Sequence, residues 1–371
     1  MLIEGRLDGI GRFSFEMLKR ITQNQPDVHF VFLFDREISD EFIFSDNITP
    51  IILSPQARHP ILYRIWFDWS VRSLLNQMKP DLFFSPDGFL SLGARCPQLP
   101  VIHDINFFHY PKDLKWAYSR FYNKFFPKYA AKAERILTVS EFSRQDIAQN
   151  YHIDSNKIDV VYNGISDGFY PRSEEKNSTT RKRFTKGKPY FLFVGSKHPR
   201  KNIPRLLKAF DLFKQRTSSA HQLVLCGPDF WGTKPIEDTY RAMKSKEDVV
   251  IAGRVEENDL QEIYSAAFAL VYVPYFEGFG IPLAEAMASD IPIITSTISC
   301  MPEVCFDAAL YVDPYHPEAI ADAMIQLTDN ENLRSELIEK GKARRQVFNW
   351  DIGAEKIWQT MLACIPPQTS S

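Results

Sequence analysis

The chain has 371 residues, 44% of them hydrophobic and 24% charged, which is an ordinary globular composition. That length is too great for a single core and suits two α/β domains. A formal net charge of −2, from 44 basic and 46 acidic residues, excludes the overall basic field of a nucleic-acid-binding protein.

Cysteine usage and hydrophobicity bear on the cellular compartment. The five cysteines are scattered, odd in number and without a Cys-x-x-Cys pair (Cys96, Cys226, Cys300, Cys305 and Cys364). We therefore expect reduced thiols in a cytoplasmic protein, with no disulfide and no zinc site. No apolar run approaches the roughly 20 residues of a membrane span, and the N-terminus lacks a signal-peptide pattern. We expect a cytoplasmic protein that is soluble or peripheral at the inner face of the membrane.

The beginning of the chain is unusual for an α/β domain, which ordinarily opens with a buried strand. Residues 1–13 pass almost directly into a loop and then a helix with apolar residues at helical spacing (Ile10, Phe13, Met17, Leu18 and Ile21). We expect either that the native N-terminus extends upstream of Met1 or that the N-terminal domain lacks its first strand.

Short apolar strands then alternate with amphipathic helices. Strands are predicted at residues 28–34, 81–85, 100–102 and 136–139, and again at 190–194, 222–226, 249–251, 270–273, 292–295 and 309–312. This alternation is typical of doubly wound parallel sheets. Residues 173–188 are polar and charged, without a hydrophobic period, which predicts an inter-domain linker.

These patterns predict four regions. Residues 1–172 form an N-terminal Rossmann-like domain, residues 173–188 the linker, and residues 189–348 a second Rossmann-like domain. Residues 349–371 contain a last helix, expected to cross back to the first domain, and a tail.

A polar loop follows the strand at residues 190–194. It contains Gly195, Ser196, Arg200 and Lys201 and leads into a helix predicted to begin near residues 203–204. Ligands of open α/β sheets bind at the carboxyl ends of strands, where helix N-termini favour anions. The glycine would allow a close approach to the backbone, and the two cations could neutralise a diphosphate. A merely solvated basic loop is the alternative.

The stretch YFEGFGIPLAEAMA places Glu277 and Glu285 on either side of a glycine turn. A buried strand precedes it, and Pro282 suits the first turn of a following helix. Glu285 then falls about one turn into that helix, so we expect both carboxylates to point into one small volume. Helix capping and surface hydration are the alternative.

The whole chain resembles the family 4 glycosyltransferases, retaining enzymes of the GT-B fold, from GRLDGIGRF to the C-terminal FNW. The segments that carry the resemblance are VIHDINFFHYP, TVSEFSRQDI, KIDVVYNGISDGFYP, FVGSKHPRKNI, GRVEENDLQEIYSAA, EGFGIPLAEAMA and MPEVCFDAALYVDP. The resemblance implies two doubly wound Rossmann-like domains facing a cleft. EGFGIPLAEAMA is similar to the family's signature of two glutamates.

The resemblance also implies roles for individual residues. Glu277 would lie against the transferred sugar, Glu285 would hold the ribose hydroxyls, and Lys201 with Arg200 would bind the donor diphosphate. Many members carry an arginine directly after the strand's glycine, and this chain has Ser196 there. Whether Arg200 takes over that charge is open.

Further sites follow from the same resemblance. His103 matches an active-site histidine of the first domain, although a lone histidine is more often structural. Gly9 and Gly11 resemble an N-terminal glycine loop that approaches the donor phosphates or the acceptor. The remaining sites are Arg254 and Val255 for the base, Ser299, Cys300 and Met301 for the phosphates, and Gly278, Phe279 and Gly280 as the sugar-binding loop.

The sequence contains no Asp-x-Asp pair, which metal-dependent GT-A transferases use to hold a divalent ion on the diphosphate. Cationic side chains and helix N-termini would serve instead. We therefore expect a metal-independent reaction with no cofactor and with a nucleoside diphosphate sugar as donor substrate.

Residues 112–135 set Arg120, Lys124, Lys128 and Lys132 four apart among many aromatic residues. This stripe could dock on an anionic membrane that presents a lipid-linked acceptor. The alternative is a solvated helix face over a packed aromatic side, with Pro127 kinking the helix.

We interpret the chain as a retaining glycosyltransferase that moves a hexose, with mannose the first choice, from a nucleoside diphosphate sugar to a hydroxyl of a glycan or lipid-linked saccharide. A GT-B sugar-nucleotide epimerase would bind the same donor without an acceptor. A catalytically inactive sugar-nucleotide-binding subunit is a third hypothesis, against which the intact Glu277, Glu285 and Lys201 argue.

Overall fold

The structure is a computed structural model that describes residues 9–228 and 233–366. Contacts divide the chain into two compact units, Met1–Gly164 with Asn349–Ser371, and Ile165–Phe348. The expectation about a missing first strand concerns residues 1–8 and lies outside the described residues, as does the tail after residue 366. The first described element is a helix.

The first unit alternates helices with short strands. Its elements up to residue 164 are α1 (Gly9–Asn24), β1 (Phe30–Phe34), β2 (Ile48–Ile52), α2 (Pro60–Ile65), α3 (Arg72–Met78), β3 (Phe83–Ser85), β4 (Gln98–Pro100), α4 (Asn106–His109), α5 (Trp116–Lys132), β5 (Ile136–Thr138), α6 (Glu141–Tyr151) and β6 (Ile158–Val160). A π-helical segment, Trp66–Val71, joins α2 to α3.

The strands of the first unit pair in parallel. β1 pairs with β2, β3 with β4, and β5 with β6, and a bridge between Val101 and Leu137 connects β4 to β5. The three residues of β5 are buried, and α5 covers this region with Phe121, Phe125 and Phe126. Apolar burial on this scale is the main force that holds such a unit together.

The second unit contains the longer sheet. Its elements are α7 (Glu174–Thr185), β7 (Tyr190–Val194), α8 (Ile203–Arg216), β8 (Gln222–Cys226), α9 (Lys234–Ala242), β9 (Val249–Gly253), α10 (Glu257–Ala266), β10 (Ala269–Tyr272), α11 (Ile281–Ala288), β11 (Ile293–Ser296), α12 (Met301–Cys305), β12 (Leu310–Val312), α13 (Pro317–Asp329) and α14 (Glu331–Arg344). The last helix, α15 (Trp350–Cys364), belongs to the first unit.

The six strands of the second unit are all parallel and lie in the order β12-β11-β10-β7-β8-β9. The chain begins in the middle at β7, moves outward to β9, and returns to the other side of β7 with β10. The strand order therefore reverses between β7 and β10, and ligands of doubly wound sheets bind at this switch point.

The expected linker at residues 173–188 is wrong, because Glu174–Thr185 forms α7 and packs on α10 within the second unit. The Ser173 side chain caps this helix, and Arg183 makes a two-point ion pair with Asp259, with both N–O distances 2.7 Å. Helix α7 has no apolar stripe, so its hydrophobic pattern does not predict a helix. Polar contacts and two buried threonines hold it in place instead. The second unit accordingly begins at Ile165.

Helix α15 packs against α1. Nε of Arg20 donates to Oδ1 of Asp351 at 2.6 Å, and a Cβ at Gly353 would lie 2.5 Å from Cε of Met17. The small residue therefore allows the two helices to approach closely. Among the described helices, none combines the length and hydrophobicity that a bilayer span requires.

Candidate active site

The candidate site is built where β7 and β10 end, side by side, in the second unit. The loop after β7 contains a short 3-10 turn, Pro199–Lys201, and the loop after β10 contains the first signature glutamate. The N–H of Tyr275 donates to the carbonyl of Arg200 at 3.0 Å, which joins the two loops directly. The topology therefore brings the two motifs that the sequence singled out to one edge of the sheet.

Two cations converge on one carboxylate at this edge. Nζ of Lys201 lies 2.5 Å from Oε1 of Glu277, and Nε of Arg200 lies 3.4 Å from the same oxygen. The Glu277 residue is only 6% exposed, so the ion pair is shielded from water. The cations outnumber the carboxylate in this cluster, and the surplus positive charge suits an anionic ligand.

Tyr272, the last residue of β10, completes this cluster. Its hydroxyl accepts a hydrogen bond from Nζ of Lys201 at 2.6 Å and also interacts with the Glu277 carboxylate. Burial raises the pKa of the Tyr272 phenol well above its usual value, and the negative charge of Glu277 raises it further. The phenol therefore remains protonated and can accept from the lysine while donating to the glutamate.

Asn202, in the loop after β7, forms hydrogen bonds with the loops that follow two other strands. The residue adopts a left-handed conformation with φ of 63°, which asparagine tolerates better than most residues. Its buried side-chain amide donates to the carbonyls of Val273, at 2.9 Å, and Pro314, at 2.7 Å. The loops after β7, β10 and β12 are thereby held in a fixed relation, and Lys201 sits directly before this junction.

The loop that carries Glu277 is supported by Ser299 and Cys300. The Ser299 hydroxyl accepts from the N–H of Glu277 at 3.0 Å and donates to its carbonyl at 2.7 Å. The Cys300 thiol donates to the same carbonyl at 3.2 Å. These two residues, expected from the resemblance to bind phosphate, thus also position the glutamate, and Met301 begins α12 beside them.

The glycine turn between the two glutamates requires its last glycine. Gly280 has φ of 86°, and a Cβ there would lie 3.0 Å from Cε of Met301 and 3.3 Å from Cδ1 of Leu283. Phe279 is almost completely buried and packs edge-on against Phe348 at a centroid distance of 5.4 Å. The Phe279 ring therefore belongs to the core, although the resemblance predicted that Phe279 is part of the sugar-binding loop. Gly278 directly precedes it in the same loop.

The second signature glutamate, Glu285, lies in α11 and is also buried. Its carboxylate is beside the phenol of Tyr264 from α10. Burial raises the pKa of the Tyr264 phenol well above its usual value, and the neighbouring Glu285 charge adds to this effect. Glu277 thus has Lys201 as a neighbour and Glu285 has Tyr264, and the single small volume expected for both carboxylates stays a prediction.

The other predicted residues of the second unit occupy ends of neighbouring strands. Gly195 directly follows β7, and a Cβ there would lie 3.7 Å from Cδ of Lys201. Arg254 and Val255 directly follow β9, the edge strand two positions from β7. All of them therefore lie along the carboxyl edge of one parallel sheet.

The predicted residues of the first unit lie near the start of α1 and directly after the strand region at Val101. His103 follows the Val101 bridge, and its Nε2 lies 2.9 Å from the carbonyl of Pro86, so this nitrogen carries the proton. The ring of Phe13 packs edge-on against His103 at a centroid distance of 4.9 Å. The expected loop at Gly9 and Gly11 is wrong, because both residues lie in the first turn of α1, the helix that carries Phe13.

Sequence reasoning missed Tyr272 and Asn202. An aromatic residue at the end of a strand ordinarily indicates core packing, and an asparagine before a helix ordinarily indicates a cap. Neither residue type carries a spacing signal toward partners that lie far along the chain. Only the topology of the sheet brings these partners within hydrogen-bonding distance.

The chain is similar to known glycosyltransferases over most of its length. Residues 7–169 match the model of Glycosyltransferase Family 4, and residues 174–344 match that of Glycosyl transferases group 1. The O-antigen chain mannosyltransferase B of Escherichia coli is 27% identical over 360 residues, which cover 93% of each chain. The O-antigen chain mannosyltransferase RfbU of Salmonella typhimurium is 34% identical over 218 residues, 58% of this chain and 57% of that protein.

Solved structures with low sequence identity share the fold. WaaG, a glycosyltransferase involved in lipopolysaccharide biosynthesis, superposes with a TM-score of 0.75 at 15% identity, covering 96% of both chains. HepE from Anabaena, solved in complex with UDP and glucose, has a TM-score of 0.75 at 15% identity and covers 97% of both chains. Together, the two family models and the shared GT-B fold show that this chain belongs to the family 4 glycosyltransferases and is a glycosyltransferase.

Proposed function

We propose that the protein transfers a hexose, with mannose as the first candidate, from a nucleoside diphosphate sugar to a hydroxyl of a glycan or lipid-linked saccharide. The main support for this proposal is the ion pairing of Lys201 and Arg200 with Glu277 in the loops that follow the neighbouring strands β7 and β10. Two relatives named as O-antigen mannosyltransferases support mannose and a glycan acceptor. The UDP and glucose bound to HepE support a nucleoside diphosphate sugar as donor.

In this proposal the two cations bind the diphosphate of the donor. Negative charge accumulates on the leaving phosphate as the glycosidic bond breaks, and cations fixed in advance stabilise that charge. Lys201 is already held by Tyr272 and Glu277, so little reorganisation is needed when the donor binds. A side chain at Gly195 would crowd Phe193 and Lys201, with a Cβ 3.1 Å from Cζ of Phe193 and 3.7 Å from Cδ of Lys201, so the glycine would let a phosphate oxygen approach the backbone there.

The remaining residues position the donor and the acceptor. Glu277 and His103 would act around the transferred sugar, Glu285 would accept hydrogen bonds from the ribose hydroxyls, and the backbone after β9 at Arg254 and Val255 would contact the base. Retention places the leaving phosphate and the incoming hydroxyl on one face of the sugar. The leaving phosphate oxygen then accepts the proton of the acceptor hydroxyl, so the protein acts by positioning and charge stabilisation.

The donor would be bound without a metal ion. The sequence has no Asp-x-Asp pair, and Lys201 and Arg200 would supply positive charge next to the proposed diphosphate position. We also propose that the protein works in the cytoplasm, peripherally at the inner face of the membrane, where a lipid-linked acceptor would be present.

A two-step experiment tests the proposed function. Nucleoside diphosphate derivatives of mannose, glucose and galactose are first screened for a rise in melting temperature, because a ligand that binds only the folded protein stabilises it. The stabilising donor is then incubated with and without a glycan acceptor, and products are separated by mass and by anomeric configuration. Transfer with retention supports the proposal. An epimerised sugar nucleotide formed without acceptor, or donor binding without turnover on any glycan pool, would contradict it.

A further inference from the structure

The segment His103–His109 begins with the candidate active-site histidine and ends with the last residue of α4. The residue before this segment is fixed by β5, because the N–H of Ile102 donates to the carbonyl of Leu137 at 2.8 Å. The Thr138 hydroxyl donates in turn to the carbonyl of Ile102 at 2.7 Å, and all three residues are buried. Strand β5 therefore sets the path of the chain up to His103.

Helix α6, which follows β5, holds both ends of this segment. The Ser143 hydroxyl donates to the carbonyl of His103 at 3.1 Å. At the other end, Nε2 of His109 donates to Oδ1 of Asp146 at 2.7 Å, because an ionised carboxylate can only accept. Ser143 and Asp146 are three residues apart and therefore share one face of the helix. One face of α6 thus fixes the segment at its start and at its end.

The Asp146 carboxylate lies where it needs its donors. The residue is only 9% exposed, and Oδ1 also accepts from Nδ2 of Asn150 at 2.9 Å. Burial raises the pKa of the Asp146 carboxyl, and the hydrogen bond from His109 opposes this effect. A buried carboxylate that loses a donor is strongly destabilised, so the bond from His109 should stay formed in the folded protein.

The imidazole ring of His103 has contacts of its own. Its Nε2 donates to the carbonyl of Pro86 at 2.9 Å, and the ring of Phe13 packs edge-on against it. These contacts orient the ring only if the backbone of His103 stays in place, and the backbone is held by α6. A displacement of about 1 Å at a reacting group can reduce a rate by about 10²-fold, even when its cause is distant.

We propose that Asp146, acting through His109, is a positioning residue that holds His103 in place for sugar transfer. Asp146 has no need to contact the substrate in this role, since it acts on the far end of the segment that His103 begins. The effect on transfer rests on the proposed function, whereas the effect on the position of the His103 ring requires no reaction. In the alternative, the pair of Asp146 and His109 stabilises the first unit and leaves His103 unaffected.

Four variants of the full chain separate these two roles. Asp146→Ala removes the acceptor, and Asp146→Asn keeps an oxygen that can accept from His109. His109→Phe breaks the same contact at a side chain that is 31% exposed, so it serves if Asp146→Ala does not fold. Asp159→Ala is the matched control, because Asp159 forms an ion pair with Arg135 at 2.7 Å in the same unit but lies on β6.

The first measurement is independent of activity. The Nε2 proton of His103 is observed by NMR in protein labelled with ¹⁵N-histidine, and its signal is assigned by its absence in His103→Ala. We expect this signal to shift, or to exchange faster with water, in Asp146→Ala and His109→Phe. It should stay at the wild-type position in Asp146→Asn and in the control. An unchanged signal in both Asp146→Ala and His109→Phe would overturn the proposal.

The second measurement is sugar transfer. We expect kcat to fall roughly tenfold in Asp146→Ala, with the KM for the donor unchanged and with most activity retained in Asp146→Asn. In the His103→Ala background the same substitution should have little further effect on kcat, because it acts through His103. An equal loss in Asp159→Ala, or a full additional loss in the His103→Ala background, would overturn the proposal. The NMR result stands even if the wild type transfers no sugar, so a failure of positioning is distinguished from a failure of the proposed function.

Discussion

Nζ of Lys201 lies 2.5 Å from Oε1 of Glu277, although the two residues follow different strands, β7 and β10. A pair this close, with both side chains shielded from water, couples the stability of the fold to the chemistry of the site. Substitutions in the pair should therefore change both properties, and comparing them separates the two roles.

Replacing Lys201 with Met removes the charge and keeps most of the side-chain volume. We expect kcat/KM for the donor to fall by about 10²–10³-fold, because a fixed cation on the leaving group is lost. The free energy of unfolding should fall by about 3 kcal/mol, since Glu277 is left buried without its lysine partner, although Arg200 and the Tyr272 phenol stay beside it. The double variant with Glu277→Gln should recover stability and remain inactive. Lys208→Met, an exposed change on α8, is the control for both measurements. Activity close to that of the wild type in Lys201→Met would contradict the assignment.

Tyr272→Phe tests whether the phenol positions Lys201. Loss of its hydrogen bonds should reduce stability by about 1 kcal/mol and raise the KM for the donor, with a smaller effect on kcat. Tyr190→Phe is the matched control, because Tyr190 is equally buried in the same sheet and donates to the carbonyl of Ile263 at 2.6 Å. The control should lose stability without a change in KM. If both variants changed KM equally, Tyr272 would have only a structural role.

Gly280→Ala tests the turn between the two glutamates. Gly280 and Gly187 have nearly the same backbone angle, with φ of 86° and 87°, but only Gly280 has atoms within 4 Å of the added Cβ. Both substitutions should cost about 1–2 kcal/mol for the left-handed backbone. Gly280→Ala should cost more and should reduce transfer, because Met301 has to shift. Thermal unfolding and turnover measure the two effects, and equal behaviour of the two variants would show that the contact with Met301 is unimportant.

His221→Leu tests a pH-dependent contribution to stability. Burial lowers the pKa of His221 to about 4, with further lowering by Lys214 and Arg334. The unfolded chain, with a pKa near 6.5, binds the proton more readily, so stability is fully present above about pH 6.5 and is lost as the pH falls toward 4. Between pH 7 and pH 4 the wild type should lose about 3 kcal/mol more than the variant. Denaturant titrations at several pH values measure this difference, and parallel pH curves would contradict it.

Treatment with a chelator tests whether the reaction needs a metal. We expect transfer to be unchanged in excess EDTA after dialysis, because Lys201 and Arg200 are proposed to supply the charge that a divalent ion would otherwise supply. Restoration of a lost activity by Mg²⁺ or Mn²⁺ would contradict this prediction.

The strands of the second unit were predicted closely because they are nearly continuous apolar runs between polar loops. β7 and β8 begin and end at the predicted residues. In the first unit, β2 was missed, because it contains Pro50 and an exposed Ile52 and therefore has no buried run. Helix α7 was missed for a related reason, since it is held by a cap and by ion pairs.

The candidate site was predictable only in part. Lys201 and Glu277 stand in recognisable loops, so their residue types and positions at strand ends could be identified. The contact between them depends on β7 and β10 being neighbours in the sheet, which the order of strands along the chain does not reveal. The same limit applies to Tyr272, whose partners come from both loops.

The hydrogen bonds of the Asn202 amide connect the site to the segment after β12, which contacts no substrate in this proposal. Since it is bonded to Pro314 as well as to Val273, the segment after the outermost strand β12 is mechanically linked to the lysine that precedes Asn202. An insertion or a change of backbone near Pro314 would therefore displace Asn202 and, with it, the adjacent Lys201. Variation among relatives at this edge of the sheet should therefore be restricted, even though Pro314 contacts no substrate in this proposal.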